Sequence, residues 1–215
     1  MSGIETEKRA AARAAAALVR DGEIVGLGSG STVAHLFPAL AERGLAIRCV
    51  ATSPASEQSA RAAGLEVEPF EGFARLDVAI DGADEITREG WLIKGGGAAH
   101  TREKIVAAAA ERFIVIGGSE KLVEALSPPV PLELIEFGID ATIAALGAVT
   151  RRDVPRSPDG GVIADYHGPL GDVAELAARL SATPGVVGHG LFEPALTSTV
   201  IIAHGEQITF FEISH

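Results

Sequence analysis

The chain has 215 residues, 47% of them apolar and 22% charged, which excludes a disordered segment and leaves room for one or two folded domains. Its formal net charge of -11 sets a repulsive average field against a nucleic-acid backbone, and aromatic residues, at 5%, are too few for a base-stacking platform. Cys49 is the only cysteine, so an intrachain disulfide and a thiolate metal cluster are both excluded.

Residues 1–7 lack a charged-then-apolar leader pattern, and no run of about 18 apolar residues is free of charge. The expectation is a soluble, cytoplasmic protein with no membrane and no nucleic-acid partner.

Residues 5–20 read as an alanine-rich helix stopped by Asp21-Gly22. Ile24 to Leu27 is a short apolar strand, followed by the turn Gly28-Ser29-Gly30-Ser31-Thr32 and a helix over about 31–42. Residues 47–51 form a second apolar run, with a helix near 57–63. Residues 76–80 read as a strand ending at Asp81, 101–110 as a helix, and 113–116 as another strand. This alternation predicts an α/β fold, a doubly wound and largely parallel sheet, with polar loops after Leu27, Ala51, Ile80 and Ile116. Ligands bind at that strand edge in such folds.

The pattern changes at Ser127-Pro128-Pro129. Strand-like runs at 132–135, 162–164 and 184–187, with helices over about 138–146 and 172–181, predict a smaller α+β domain. The expected division is 1–130 for the sheet domain and 131–202 for the smaller one, with residues 203–215 returning to the first sheet or extending the second unit.

Three constellations carry chemistry. In the 26–32 segment, backbone N–H groups at a strand-to-helix turn can converge on a phosphate, and Ser29, Ser31 and Thr32 add hydroxyls. A plain turn capped by Ser31 or Thr32 is the simpler reading. The alternate glycines do not fit a dinucleotide fingerprint, no acid follows the second strand to hold a ribose diol, and no lysine completes a nucleoside-triphosphate loop. In Asp81-Gly82-Ala83-Asp84-Glu85, two carboxylates at a strand end can share protons, hold sugar hydroxyls or hold a divalent metal. In Lys94-Gly95-Gly96-Gly97, three glycines let backbone crowd a ligand beside one of the chain's four lysines. Thr101 fits a helix N-cap, which puts Glu103 in the first turn, where the helix dipole favours an ionised general base. Lys121, after Gly117-Gly118, adds a cation at the same edge.

Together these motifs resemble the type A ribose-5-phosphate isomerase family. The resemblance rests on residues 26–32, 81–85, 94–99, 101–104 and 119–121, in the family's order and spacing, with dense similarity over about 20–125. It implies interconversion of D-ribose 5-phosphate and D-ribulose 5-phosphate through a cis-enediolate, in pentose phosphate metabolism or a carbon-fixation cycle. It also implies Glu103 as base and Lys94, Asp81 and Asp84 as further catalytic residues. Ser29, Gly30, Ser31, Thr32, Asp81, Gly82, Ala83, Asp84, Lys94, Gly95, Gly96, Gly97 and Lys121 would bind the sugar phosphate. It implies no metal, no organic cofactor, and a homodimer or homotetramer. The chain departs from the family at 158–165, where a Thr-Asp-Asn-Gly-Asn turn is usual, and at His100, where an apolar residue is common. An amino-sugar-phosphate deaminating isomerase and a non-catalytic sugar-phosphate sensor are the competing readings; a dehydrogenase is weaker for want of the ribose-binding acid.

Overall fold

The computed structural model describes residues 3–213. The chain opens with α1 (Gly3–Ala17), whose Ala11, Ala12, Ala15 and Ala16 are buried. Small side chains let this helix lie close on a sheet. It ends three residues before the expected stop, because the Arg43 guanidinium takes the carbonyls of Ala16 and Val19. Strand β1 (Ile24–Leu27) follows, then a 3₁₀ turn (Val33–His35), α2 (Leu36–Ala41), β2 (Arg48–Ala51), α3 (Pro54–Ala62) and β3 (Leu76–Gly82). The single helix expected over 31–42 is therefore two short pieces. Thr32 stands at the N-cap position of the 3₁₀ turn without a side-chain cap bond, so its hydroxyl is not consumed in capping.

Two short strands, β4 (Glu85–Ile86) and β5 (Leu92–Ile93), lead to α4 (His100–Ala109) and the long β6 (Ala110–Gly118). Next come β7 (Val130–Leu134), α5 (Ile139–Leu146), β8 (Val149–Arg151), β9 (Val162–Tyr166), α6 (Val173–Ala182) and β10 (Val186–His189). The chain then forms β11 (Leu191–Phe192), β12 (Thr199–His204) and β13 (Gln207–Glu212).

The main sheet has the order β13-β12-β6-β3-β1-β2, parallel except for the β12–β13 hairpin. Its inner strands are buried on both faces, whereas the edge strand β13 is largely exposed. Val78, Ile80, Ile114 and Ile116 pack with α1 and α2, whereas Ala79, Phe113 and Val115 pack with Val106 and Ala107 of α4. The two-residue period of a strand makes this division, and helices on both faces make the sheet doubly wound. A second sheet, β10-β7-β9-β8, is antiparallel and packs on α5 and α6. Strands β11, β5 and β4 form a small ribbon.

The main sheet resumes at Thr199, before the expected residue 203. Val200 and Ile202 enter one apolar face while Ile201 and Ala203 enter the other, so this segment is buried on both sides beside β6.

Candidate active site

The expected loops meet at the carboxyl edge of the main sheet. After β1, Gly28 donates its N–H to Ile80 at 2.9 Å, and Ser29 donates its N–H to Asp81 Oδ1 at 3.1 Å. A Cβ on Gly28 would overlap the Asp81 carboxyl, so only glycine lets these strand ends approach. The Ser29 hydroxyl is fixed by Thr52 Oγ1 at 2.8 Å and Ser53 Oγ at 3.0 Å, both following β2.

Below this loop lies a buried charge cluster. Lys94 Nζ is 3.0 Å from Asp81 Oδ2 and 3.1 Å from Glu103 Oε2, and it donates to the Gly82 carbonyl. These three side chains are 3%, 4% and 6% exposed, so their charges act in a medium far less screening than water. Asp81 also accepts the Gly82 N–H at 2.7 Å. Glu103 Oε2 has the ion-pair contact, but its angle gives no hydrogen bond.

One ammonium thus faces two carboxylates, and that imbalance sets their protonation. Burial pushes both carboxyls up, and Lys94 pulls both down. Asp81 has two backbone N–H donors in addition; Glu103 instead faces the Asp81 charge, and its pKa rises to about 7. Burial alone would lower the Lys94 ammonium, yet Asp81 and Glu103 hold it above the ordinary lysine value. Desolvation and the Asp81 charge raise Glu103 against the pull expected at a helix start.

Thr101 is not the cap of α4. Ala99 occupies that position, and the Thr101 hydroxyl donates to buried Glu133. Glu103 still lies in the first turn, with its N–H on the Ala99 carbonyl at 3.0 Å.

The triple-glycine run forms the opposite wall. Lys94 N–H donates to Gly190 at 2.9 Å, and Gly96 N–H donates to Asp84 Oδ2 at 2.8 Å. Asp81 and Asp84 do not converge on one point: one turns to Lys94, the other to Gly96. Beneath the run, a Cβ on Gly95 would come within 2.7 Å of His100 Nδ1. His100 is fully buried, neither ring nitrogen has a well-formed hydrogen bond, and burial pushes its pKa down to about 4.

Between the walls is a cavity of about 130 Å³. Ser29, Gly30, Ser31, Thr32, Gly82, Ala83, Asp84, Lys94, Gly95, Gly96, Gly97, Glu103 and Lys121 line it. Of the residues expected at the site, Asp81 alone is absent from the lining; it sits behind Lys94 as its counter-ion. Sequence reasoning missed Arg152, which donates to the Gly95 carbonyl from 57 residues away, and Lys104, which donates to the carbonyls of His189 and Leu191.

The family model for ribose 5-phosphate isomerase A (phosphoriboisomerase A) matches residues 48–207. The ribose-5-phosphate isomerase A of Gluconobacter oxydans is 42% identical over 99% of this chain and all of its own length. The chain belongs to the ribose-5-phosphate isomerase A family. The structure of the Neisseria gonorrhoeae ribose 5-phosphate isomerase A superposes with a TM-score of 0.92, at 31% identity, over 97% of this chain and 96% of that one. A D-ribose-5-phosphate isomerase in complex with phospho-erythronic acid, 33% identical, superposes with a TM-score of 0.91 over 99% of this chain and all of that one.

Membership of the ribose-5-phosphate isomerase A family makes the chain an isomerase of ribose 5-phosphate and ribulose 5-phosphate. The sensor, deaminating-isomerase and dehydrogenase readings fall away. The departure at 158–165 covers the turn before β9 and the first four residues of that strand, outside the cavity lining. No helix among the described residues is long and apolar enough to cross a membrane.

Proposed function

We propose that Glu103 is the base of an aldose–ketose isomerisation, and that Lys94 and the cavity-facing amides stabilise the intermediate. Glu103 takes the proton from C2 of the open-chain aldose. The C–H electron pair becomes the C1=C2 bond, and the C1=O1 π pair moves onto O1, giving a cis-enediolate. Glu103 returns its proton to C1, the O2 proton passes to O1, and C2 becomes the carbonyl of the ketose. Fixed donors aimed at the developing charge reward this transition state more than the ground state.

The observation that carries this reading is the Lys94 ammonium, held about equally far from Asp81 and Glu103 at the base of the cavity. Asp81 acts through Lys94 by holding its charge and position. Asp84 lines the cavity, where it orients substrate hydroxyls and can carry the O2-to-O1 proton transfer. The glycine-serine loop and Lys121 orient the anionic substrate. Phospho-erythronic acid, seen on the relative, supports an enediolate path: its carboxylate holds two oxygens in one plane, as the enediolate does.

Glu103 at about 7 is close to the operating pH, which suits a group that must both take and return a proton. Below that value it is protonated and cannot act as the base, so kcat/KM falls as pH drops through about 7. The test is turnover of ribose 5-phosphate by EDTA-treated protein and by E103Q. Wild type turns over, and E103Q folds but loses about 10²–10⁴ in kcat. Near-normal turnover by E103Q would sink the assignment.

A cytoplasmic homo-oligomer fits the same reading. The lone thiol, Cys49, is free and buried, and a chain with no disulfide is compatible with a reducing compartment. Exposed Ile135, Phe137 and Val187 offer apolar area for a subunit contact at one end of the small sheet.

A further inference from the structure

Two consecutive carbonyls of the triple-glycine run face one guanidinium. Arg152 Nη1 donates to Gly95 at 2.9 Å and to Gly96 at 3.3 Å. Its Nε and Nη2 pair with the two Asp165 oxygens at 2.6 Å each. Both side chains are largely buried, at 18% and 15% exposed. Arg152 follows β8 and Asp165 lies in β9, so the small antiparallel sheet reaches across to the catalytic wall. A bidentate pair fixes the plane of the guanidinium, and with it the direction of the remaining N–H donors.

The Gly95–Gly96 peptide is held at both edges, its carbonyl on Arg152 and its N–H on Asp84. A trans peptide puts those groups on opposite edges. The Gly96–Gly97 bond is trans, since the only cis bond among the described residues is Pro128-Pro129. With the Gly96 carbonyl also on Arg152, the Gly97 N–H turns to the same side as the Gly96 N–H. Gly97 lines the cavity, and no protein acceptor takes its N–H among the described residues. Successive N–H groups on one side make a concave site for negative charge; the Asp84 carboxylate takes the first, which leaves the Gly97 N–H for a second negative group. Glycine opposes rotation of these peptides less than any other residue. A flipped peptide would present a carbonyl lone pair where the reaction develops an oxyanion.

We propose that Arg152 is a positioning residue for the isomerisation: it holds the Gly95–Gly96 peptide in place against Asp84, and the Gly96–Gly97 peptide so that the Gly97 N–H, not a carbonyl, faces the substrate oxygen that becomes negative. Asp165 fixes the guanidinium in turn. The proposal rests on the enediolate reading above, which has its own test. Undiminished turnover in E103Q or K94A breaks that reading, whatever Arg152 does.

The experiment compares R152A, R152K and D165N with wild type, measuring thermal melts, kcat and KM for ribose 5-phosphate, with and without millimolar guanidinium and with sodium chloride as the ionic control. Misplacing a catalytic group by about 1 Å costs on the order of 10² in rate. R152A is therefore expected to lose about ten- to a hundredfold in kcat, with a smaller change in KM. Guanidinium restores part of the loss; sodium chloride does not. R152K keeps the charge without the fork and stays well below wild type. D165N loses kcat by a smaller factor and is not helped by guanidinium, because its own guanidinium still occupies the site. A folded R152A with kcat within twofold of wild type overturns the proposal, as does a loss confined to KM or a loss that guanidinium leaves untouched. If R152A does not fold, D165N decides: lowered kcat at similar KM supports the role, and unchanged kcat overturns it.

Discussion

The cavity has two glycine-rich walls, and they are built in opposite ways. The 28–32 wall is held by its own sheet: Asp81 at the end of β3 takes the Ser29 N–H, and Thr52 and Ser53 beyond β2 fix the Ser29 hydroxyl. The 94–97 wall is held from outside by Asp84, by Gly190, by His100 beneath and by Arg152 from the small sheet. A wall with hydroxyls needs only neighbouring strand ends to order it. Beyond Lys94 the second wall is bare peptide, so distant parts of the chain must fix its direction. That contrast gives the small unit a chemical purpose besides its own stability.

The sharpest way to break the contrast is G28A. Its Cβ would displace the Asp81 carboxyl and so disturb the first wall and Lys94 together. A loss of about 10² in turnover is expected from that misplacement, with about 1–3 kcal/mol of stability from overpacking. Steady-state kinetics with a thermal melt check it, and a normal rate would show the first wall to be plastic.

The second wall is also the acid-sensitive one. His100 is pushed down to about 4 by burial, with Lys104, Arg152 and Lys94 acting the same way and the Gly188 backbone opposing. An unfolded histidine protonates near its ordinary value of about 6.5. Between those values the unfolded state binds more protons, so stability falls as pH drops from about 6.5 to about 4. H100L should flatten this slope by about 1 kcal/mol per pH unit. Melts of both proteins across that window test it, and parallel slopes would clear His100 of the effect.

The smallest expected change is S29A. Ser31 and Thr32 remain on the first wall, so one missing hydroxyl removes about 1 kcal/mol of hydrogen bonding, or roughly fivefold in kcat/KM. A loss larger than that of R152A would invert the comparison.

Local chemistry made much of this site legible in the sequence. Gly28, Asp81, Lys94 and Glu103 stand at strand ends or a helix start, where their types have few other uses. What escaped was set by distance or burial. Glu103 looked ionised from its place on α4, but its pKa depends on Asp81 and on exclusion of water. Thr101 looked like a cap because its type favours one, yet buried Glu133 needed a donor. Arg152 carries no motif, since what it holds in the second wall is a pair of backbone carbonyls 57 and 56 residues away. The late boundary expected at residue 203 had a similar cause: an apolar strand such as 199–203 shows that it is buried, not which sheet buries it.

The position of β12 also governs the order of events during synthesis. The edge of β6 that β12 occupies stays open while the whole antiparallel unit, residues 130–189, leaves the ribosome. Until residue 203 emerges, the nascent chain carries a long apolar strand with one free hydrogen-bonding edge, the kind of surface that pairs with other chains. A ribosome stalled near residue 195 would therefore hold a chain with all its catalytic side chains made and its central sheet unsealed, a natural client for chaperones and proteases.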